Sequence, residues 1–127
     1  MSAEGVANNV RLKRVYEPAS PDDGYRVLAT RYWPRGIDRK TVDEYLAALA
    51  PSRELLHQYR QGQLDWPRYR LQYLKEMQDE RAMAQIHRLT KLARSEVVTV
   101  MCVCAEEDRC HRSLLRELIT RFDEGES

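Results

Sequence analysis

No run of the chain approaches the roughly 18 consecutive apolar residues of a membrane-spanning helix, so no such span is expected. The opening stretch MSAEGVANN has no apolar core of the kind a signal peptide needs, and export is not expected either. Cysteine is scarce: the chain has three, an odd number crowded into one segment, which is no disulfide framework. A reduced, cytoplasmic protein is the natural expectation, with no membrane partner. A surplus of one charge is missing too, since 21 Lys and Arg face 20 Asp and Glu. That balance excludes a global basic field for gripping nucleic acid and leaves only local arginine clusters to consider. Repeats and low-complexity tracts are also absent. What is present, 43% hydrophobic and 32% charged residues in 127, is the composition of one globular domain with a single core.

Residues 1–9 and 123–127 are expected as flexible tails around one domain spanning 10–122. VRLKRVY (10–16) alternates as a half-exposed strand does, and EPASPDDG (17–24) is a run of loop formers. YRVLATRYW (25–33) reads as a second strand ended by Pro34. Thr41 with Glu44 fits a capping box opening a helix, with Val42, Tyr45, Leu46 and Leu49 as its apolar stripe until Pro51. Ser52 can cap a short successor closed by Gly62, and Asp65 with Pro67 looks like another helix start. Helical spacing then runs to about Arg94, and its polar middle, QDERAM, leaves one helix or two open. VVTVMCV (97–103) is apolar without alternation, as in a strand buried on both faces of a parallel or mixed sheet with helices on either side. CHRSLLRELITRF opens a final amphipathic helix.

Strand, helices, buried strand, helix is the order of a small Rossmann-like α/β sandwich with a mostly parallel sheet and flanking helices. In open sheets of this class, ligands bind beyond the carboxyl ends of the strands. RYWPRG follows one such end and CAEEDRCHR another, and their convergence is the argument for a site.

The second stretch admits four readings. Cys-x-Cys-x5-Cys-His holds good zinc ligands, but zinc cysteines usually pair two to four residues apart in turns, from two separated segments. Cys102 and Cys104 lie on or at the end of a strand, so no metal ligands and no cofactor are assigned, and a Cys/His metal-binding protein stays as an alternative. A phosphatase- or rhodanese-type nucleophile needs an arginine after a five-residue loop. Counted from Cys104, that place holds Cys110; Arg112 comes two positions late, and three loop acids would repel phosphate. A looser nucleophile remains at Cys110, where a helix start together with His111 and Arg112 lowers a thiol pKa. Against it stands Cys110 pointing inward as a small apolar residue. Cys102 reads as core and Cys104 as the lip of the sheet.

The fourth reading is an anion site, formed by free N–H groups at the last helix with His111 and Arg112 as one jaw. Arg31 and Arg35 supply the other jaw, and Trp33 stacks on a base or sugar ring. The competing view makes Trp33 an anchor of the sheet edge and pairs the arginines with Glu106, Glu107 and Asp108. The candidates are therefore Cys110, His111 and Cys104 for catalysis, and Arg31, Trp33, Arg35 and Arg112 for a small anionic, nucleotide-like ligand. Nucleic acid stays open as a partner, and a non-catalytic binding or regulatory module is the first alternative function. His57 and His87 have no catalytic neighbours in sequence.

LKRVYEPASPDDGYRVLATRYWPRGIDR, with LAPSRELL after it, closely resembles the YeaO-like branch of the domain-of-unknown-function 488 family over roughly residues 10–120. The resemblance implies a small bacterial, cytoplasmic, Rossmann-like protein without an established activity. Thr30 stands where that branch usually has Asp before RLWPRG, which removes an acidic role there. CAEEDRCHRSLL looks instead like the CAE…CHR signature of the family's other main branch, thought to hold a more enzyme-like site for nucleotides or nucleic acid.

Overall fold

The unalternating run VVTVMCV becomes strand β4 (Val98–Cys102), and all five of its residues are buried. The computed structural model describes residues 4–104 and 110–125. In it β4 lies between β1 (Val10–Arg14) and β2 (Tyr25–Leu28), and β3 (Glu44–Tyr45) extends the sheet beyond β2, giving the order β1-β4-β2-β3. Every pairing is parallel, with Val10 and Tyr25 both in register with Val98. Parallel strands need crossovers, and among the described residues five helices lie around and between them: α1 (Glu4–Asn9), α2 (Arg53–Arg60), α3 (Trp66–Glu76), α4 (Glu80–Ala93) and α5 (His111–Gly125). Local chemistry sets the starts of the middle three. The side chains of Ser52, Asp65 and Asp79 accept from the backbone N–H groups of Leu55, Arg68, and both Arg81 and Ala82, respectively.

The two faces of the sheet are covered differently. Val10, Val27, Ala29, Val98 and Val100 join Leu55, Tyr69, Tyr73, Ile86, Leu89, Leu115 and Ile119 in one core, so the helices pack on that face. The other face carries Val15, Leu28 and Met101, covered by Trp33, Ile37 and Val42 from the chain after β2 and by Tyr45 of β3. Helices on either side, as expected from the sequence, are thus replaced on this face by irregular chain. Beside that smaller cluster lies a buried polar knot. The Asp23 carboxylate accepts from Lys13 Nζ at 3.0 Å, from the Ser20 N–H at 3.1 Å and from Arg26 Nη1, and Thr99 Oγ1 donates to the Asp23 carbonyl at 2.6 Å.

Several expected boundaries move. The helix expected after Thr41 does not form. Val42 is extended, Glu44 and Tyr45 pair with Val27 and Leu28, and only single 3₁₀ turns flank them, at Arg39–Thr41 and Ala47–Leu49. The edge of β2 offers Glu44–Tyr45 hydrogen bonds and packs Tyr45 edge-on to Trp33 at 5.4 Å, a long-range gain that overrides the local helical spacing. β2 stops at Leu28 rather than Trp33, and Thr30 Oγ1 turns back to donate to the Tyr32 carbonyl at 2.7 Å. The expected tail at 1–9 contains α1, which buries Val6, and α5 runs on to Gly125, past 122. The 65–94 region is two helices, divided at Asp79. Among the described residues no helix is long and apolar enough to cross a membrane.

Candidate functional site

At the carboxyl end of β4 the strand's alternation places Cys102 on the helix-covered face, with Val98 and Val100, and leaves it fully buried. Two residues on, Cys104 is half-buried. The chain returns at Cys110, whose carbonyl accepts the Ser113 N–H at 3.1 Å and the Ser113 hydroxyl at 2.7 Å, and α5 begins at His111. The ligand atoms of Cys102, Cys104, Cys110 and His111 all lie within 4.8 Å of one another. Cys102 Sγ sits 2.9 Å from Cys110 Sγ, and Cys110 Sγ is 3.6 Å from His111 Nδ1. His111 Nε2 lies 2.5 Å from the Ala29 carbonyl, just past the end of β2. A carbonyl only accepts, so the ring proton belongs on Nε2, and Nδ1 offers its lone pair to the sulfurs.

The three thiols differ in acidity. The Cys104 thiol is held well below the ordinary range, first by the neighbouring Cys102, then by Cys110, with His111 adding to the effect. Cys102 is pushed up to about 12, chiefly because it serves Cys104 as a donor, and Cys110 is pushed up for the same reason toward Cys102 and then Cys104. Of the three thiols Cys104 is therefore the most acidic. Packed beside the cluster are Tyr69 and Tyr73, which burial above all keeps protonated. Tyr73 donates to the Leu49 carbonyl at 2.7 Å, and its ring lies 5.8 Å from that of His111.

A cavity of about 180 Å³ opens over this corner, lined by Thr30, Arg31, Trp33, Arg60, Cys104 and His111 among others. The two carboxyl ends thus meet as the open-sheet rule anticipates. Four of the seven candidates from the sequence share that wall: Arg31, Trp33, Cys104 and His111. Cys110 is only 1% exposed and lies beneath it. Arg35 is exposed and is not part of the cavity wall, and Tyr16 donates to its backbone carbonyl. Arg112 is 2% exposed, and its Nε and Nη1 have no hydrogen-bond partner among the described residues. Glu106, Glu107 and Asp108, read from the sequence as partners for the arginines, fall outside the described residues.

Within the wall Arg31 is fixed, with Nε donating to the Pro51 carbonyl and Nη2 to the Ala50 and Pro51 carbonyls. Trp33 serves both roles considered for it. It packs on the Leu28–Met101 cluster, its indole N–H donates to the Ile37 carbonyl at 3.0 Å, and Arg39 lies over its ring at 4.7 Å. It also faces the cavity. The residues that sequence reasoning missed are Pro51, Leu56 and Arg60, which reach the site from α2 and the turn before it, with no local pattern to announce them.

The family model described as "Active DUF488-N3 subclade" matches residues 10–122 and so takes in both the RYWPRG loop and the Cys110–Arg112 segment. The "Uncharacterized protein Rv3073c" of Mycobacterium tuberculosis is 38% identical over 112 residues, covering 87% of this chain and 92% of its own. The "Uncharacterized protein YeaO" of Escherichia coli is 32% identical over 111 residues, covering 86% of this chain and 95% of its own. No solved structure matches the chain. With nearly the whole domain covered both by the family model and by these relatives, the chain belongs to the DUF488 family, in its DUF488-N3a subclade.

Proposed function

We propose that the cavity between the RYWPRG loop and the start of α5 binds a small anionic ligand, or one end of a nucleotide-like molecule, and presents it to Cys104. The observation that carries this reading is the shared wall: Arg31 and Trp33 from one strand end, and Cys104 and His111 from the other, line one cavity. Its size limits the ligand. At about 180 Å³ it falls below the roughly 300–1,000 Å³ of drug-sized sites, so a single ring or a short acid fits inside and the remainder of a larger molecule stays outside. Arg31, clamped by two carbonyls, presents a cation at low entropic cost, and Arg60 adds a second.

Any chemistry on such a ligand falls to Cys104 rather than Cys110, because Cys104 is the cysteine that lines the cavity. The description of the subclade as active agrees with a chemical role, and cysteines kept reduced fit a cytoplasmic setting. In the non-catalytic alternative the same wall binds a ligand and Cys104 only seals its floor.

The test uses Trp33 as reporter in a Trp66→Phe background. Inorganic phosphate, AMP and UMP are titrated while indole emission is followed. A saturable change is expected with a nucleoside monophosphate, and Arg31→Gln should weaken its apparent affinity roughly tenfold, the equivalent of one charge-assisted hydrogen bond. A flat response to every probe, or an Arg31 variant that binds as tightly as its parent, overturns the assignment.

A further inference from the structure

We propose that Cys102, Cys104, Cys110 and His111 form a tetrahedral zinc site that ties the end of β4 to the start of α5. The donor set is the first reason. Three sulfurs and one imidazole are what zinc selects over hard-ligand cations. Around a zinc ion with bonds of about 2.0–2.3 Å, tetrahedral ligands stand roughly 3.5–3.8 Å apart. The four atoms here lie within 4.8 Å of one another, and the closest pair, Cys102 and Cys110 at 2.9 Å, has to open by less than about 1 Å to reach that spacing.

The second reason is orientation. Metal-bound histidines usually donate their other N–H to a carbonyl or carboxylate, which fixes the tautomer and aims the free nitrogen. His111 does this at Ala29, with Nδ1 turned to the Cys110 sulfur.

Charge is the third and independent reason. Zinc with three thiolates and a neutral imidazole carries one net negative charge. Arg112, next in sequence, is 2% exposed and has Nε and Nη1 unpartnered among the described residues. A cation buried without a paired acid among the described residues is costly, and its charge is felt at the Cys102 sulfur. The loaded cluster, one charge negative, holds a counter-charge beside that cation.

The spacing that speaks against zinc in the sequence is resolved by the fold. Cys102 closes the strand, Cys104 lies two residues on, and the chain returns so that Cys110 and His111 approach from α5. Two segments therefore supply the ligands, as zinc sites usually have. Binding needs the remaining thiol protons, those of Cys102 and Cys110, to leave as the Zn–S bonds form, with no oxidation or reduction.

The site is tested on the full chain without a histidine tag, purified under reducing conditions. Elemental analysis should find about one zinc per chain. Exchange for cobalt(II) should give the intense visible bands and sulfur-to-metal charge transfer of a tetrahedral thiolate site. Cys104→Ser and His111→Ala should each lose most of the bound zinc, and each should alter or abolish the cobalt spectrum. If those variants do not fold, titrating cobalt(II) into the wild-type chain after chelation decides alone. A chain that purifies with three free thiols and no metal, and that gives only weak octahedral cobalt absorption, overturns the proposal. So does a mass two hydrogens lighter, which reports a disulfide within the trio instead. Neither readout depends on whether the cavity binds an anion, so this proposal and the ligand reading fail separately.

Discussion

Asp23→Asn is expected to destabilise the protein by about 3 kcal/mol at neutral pH, read as a lower urea midpoint. Removing one member of a buried ion pair typically costs about 3–5 kcal/mol, because the partners left behind are desolvated and unpaired. Asp23 is 3% exposed and Arg26 7%, so their pair has little access to water. Lys13 keeps part of its side chain in solvent and can rehydrate, which puts the expected loss at the low end of the range. The pH dependence has a definite sign. Burial alone would raise the Asp23 carboxyl, but hydrogen bonds from Lys13, the Ser20 N–H and Arg26 outweigh it and hold the group below its ordinary value. A depressed folded pKa gives stability that is fully present above the unfolded value of about 3.9 and is lost as pH falls through the folded value. The gap between wild type and Asp23→Asn should therefore be constant near neutrality and narrow as pH drops below about 4. A gap that persists undiminished in acid would mean that the shape of the substituted amide, not the lost charge, causes the damage.

This knot explains a stretch that sequence patterning could read only as loop. EPASPDDG has the composition of a turn, and the turn is there. Its last acid, Asp23, is buried because Lys13 and Arg26, from two strands separated by β4, meet over Thr99. No local rule brings residues 13, 23, 26 and 99 together. The failed helix after Thr41 has the same origin. Val42, Tyr45, Leu46 and Leu49 do carry helical spacing, yet the partner that decides their conformation is the edge of β2, some 17 residues away at Val27 and Leu28. Elements whose determinants are local were legible: Ser52, Asp65 with Pro67, and Gly62 mark helix ends through side chains adjacent in sequence.

The candidate site divides along the same line. Open-sheet topology alone anticipated that the RYWPRG loop and the Cys-His segment would face each other, and one cavity contains residues of both. Which side chains turn toward that cavity depends on contacts that spacing cannot show. His111 is aimed by a carbonyl 82 residues earlier, and Arg112, adjacent to it, is buried and does not line the cavity. Reading Cys110 as a candidate nucleophile at a helix start had a sound local basis, since the helix does begin there. The structure shows the inward-pointing alternative for Cys110. Its burial comes from the returning chain pressing it against Cys102, and that transfers the accessible sulfur to Cys104.

Gly24→Ala is expected to be the most damaging small substitution in the chain, costing about 4 kcal/mol or preventing folding. Gly24 has φ 61° and ψ −129°, a region that residues with a side chain scarcely enter. The added methyl would also lie 2.3 Å from the Val97 carbonyl oxygen. That oxygen cannot retreat cheaply, because it accepts the Tyr25 N–H at 2.9 Å and so forms the first rung between β2 and β4. Gly36 and Gly62 are the controls. Both have positive φ, yet a methyl on either meets nothing within 4 Å, so Ala there should cost only about 1–2 kcal/mol of backbone strain. Urea unfolding of the three variants separates the two effects, and a Gly24 variant no worse than the others would show that the close approach to Val97 is unimportant. The consequence reaches the candidate site. β2 is four residues long and ends beside Ala29, whose carbonyl orients His111. A displaced first rung shifts that carbonyl, and any folded Gly24→Ala protein should therefore also bind cobalt(II) more weakly than wild type.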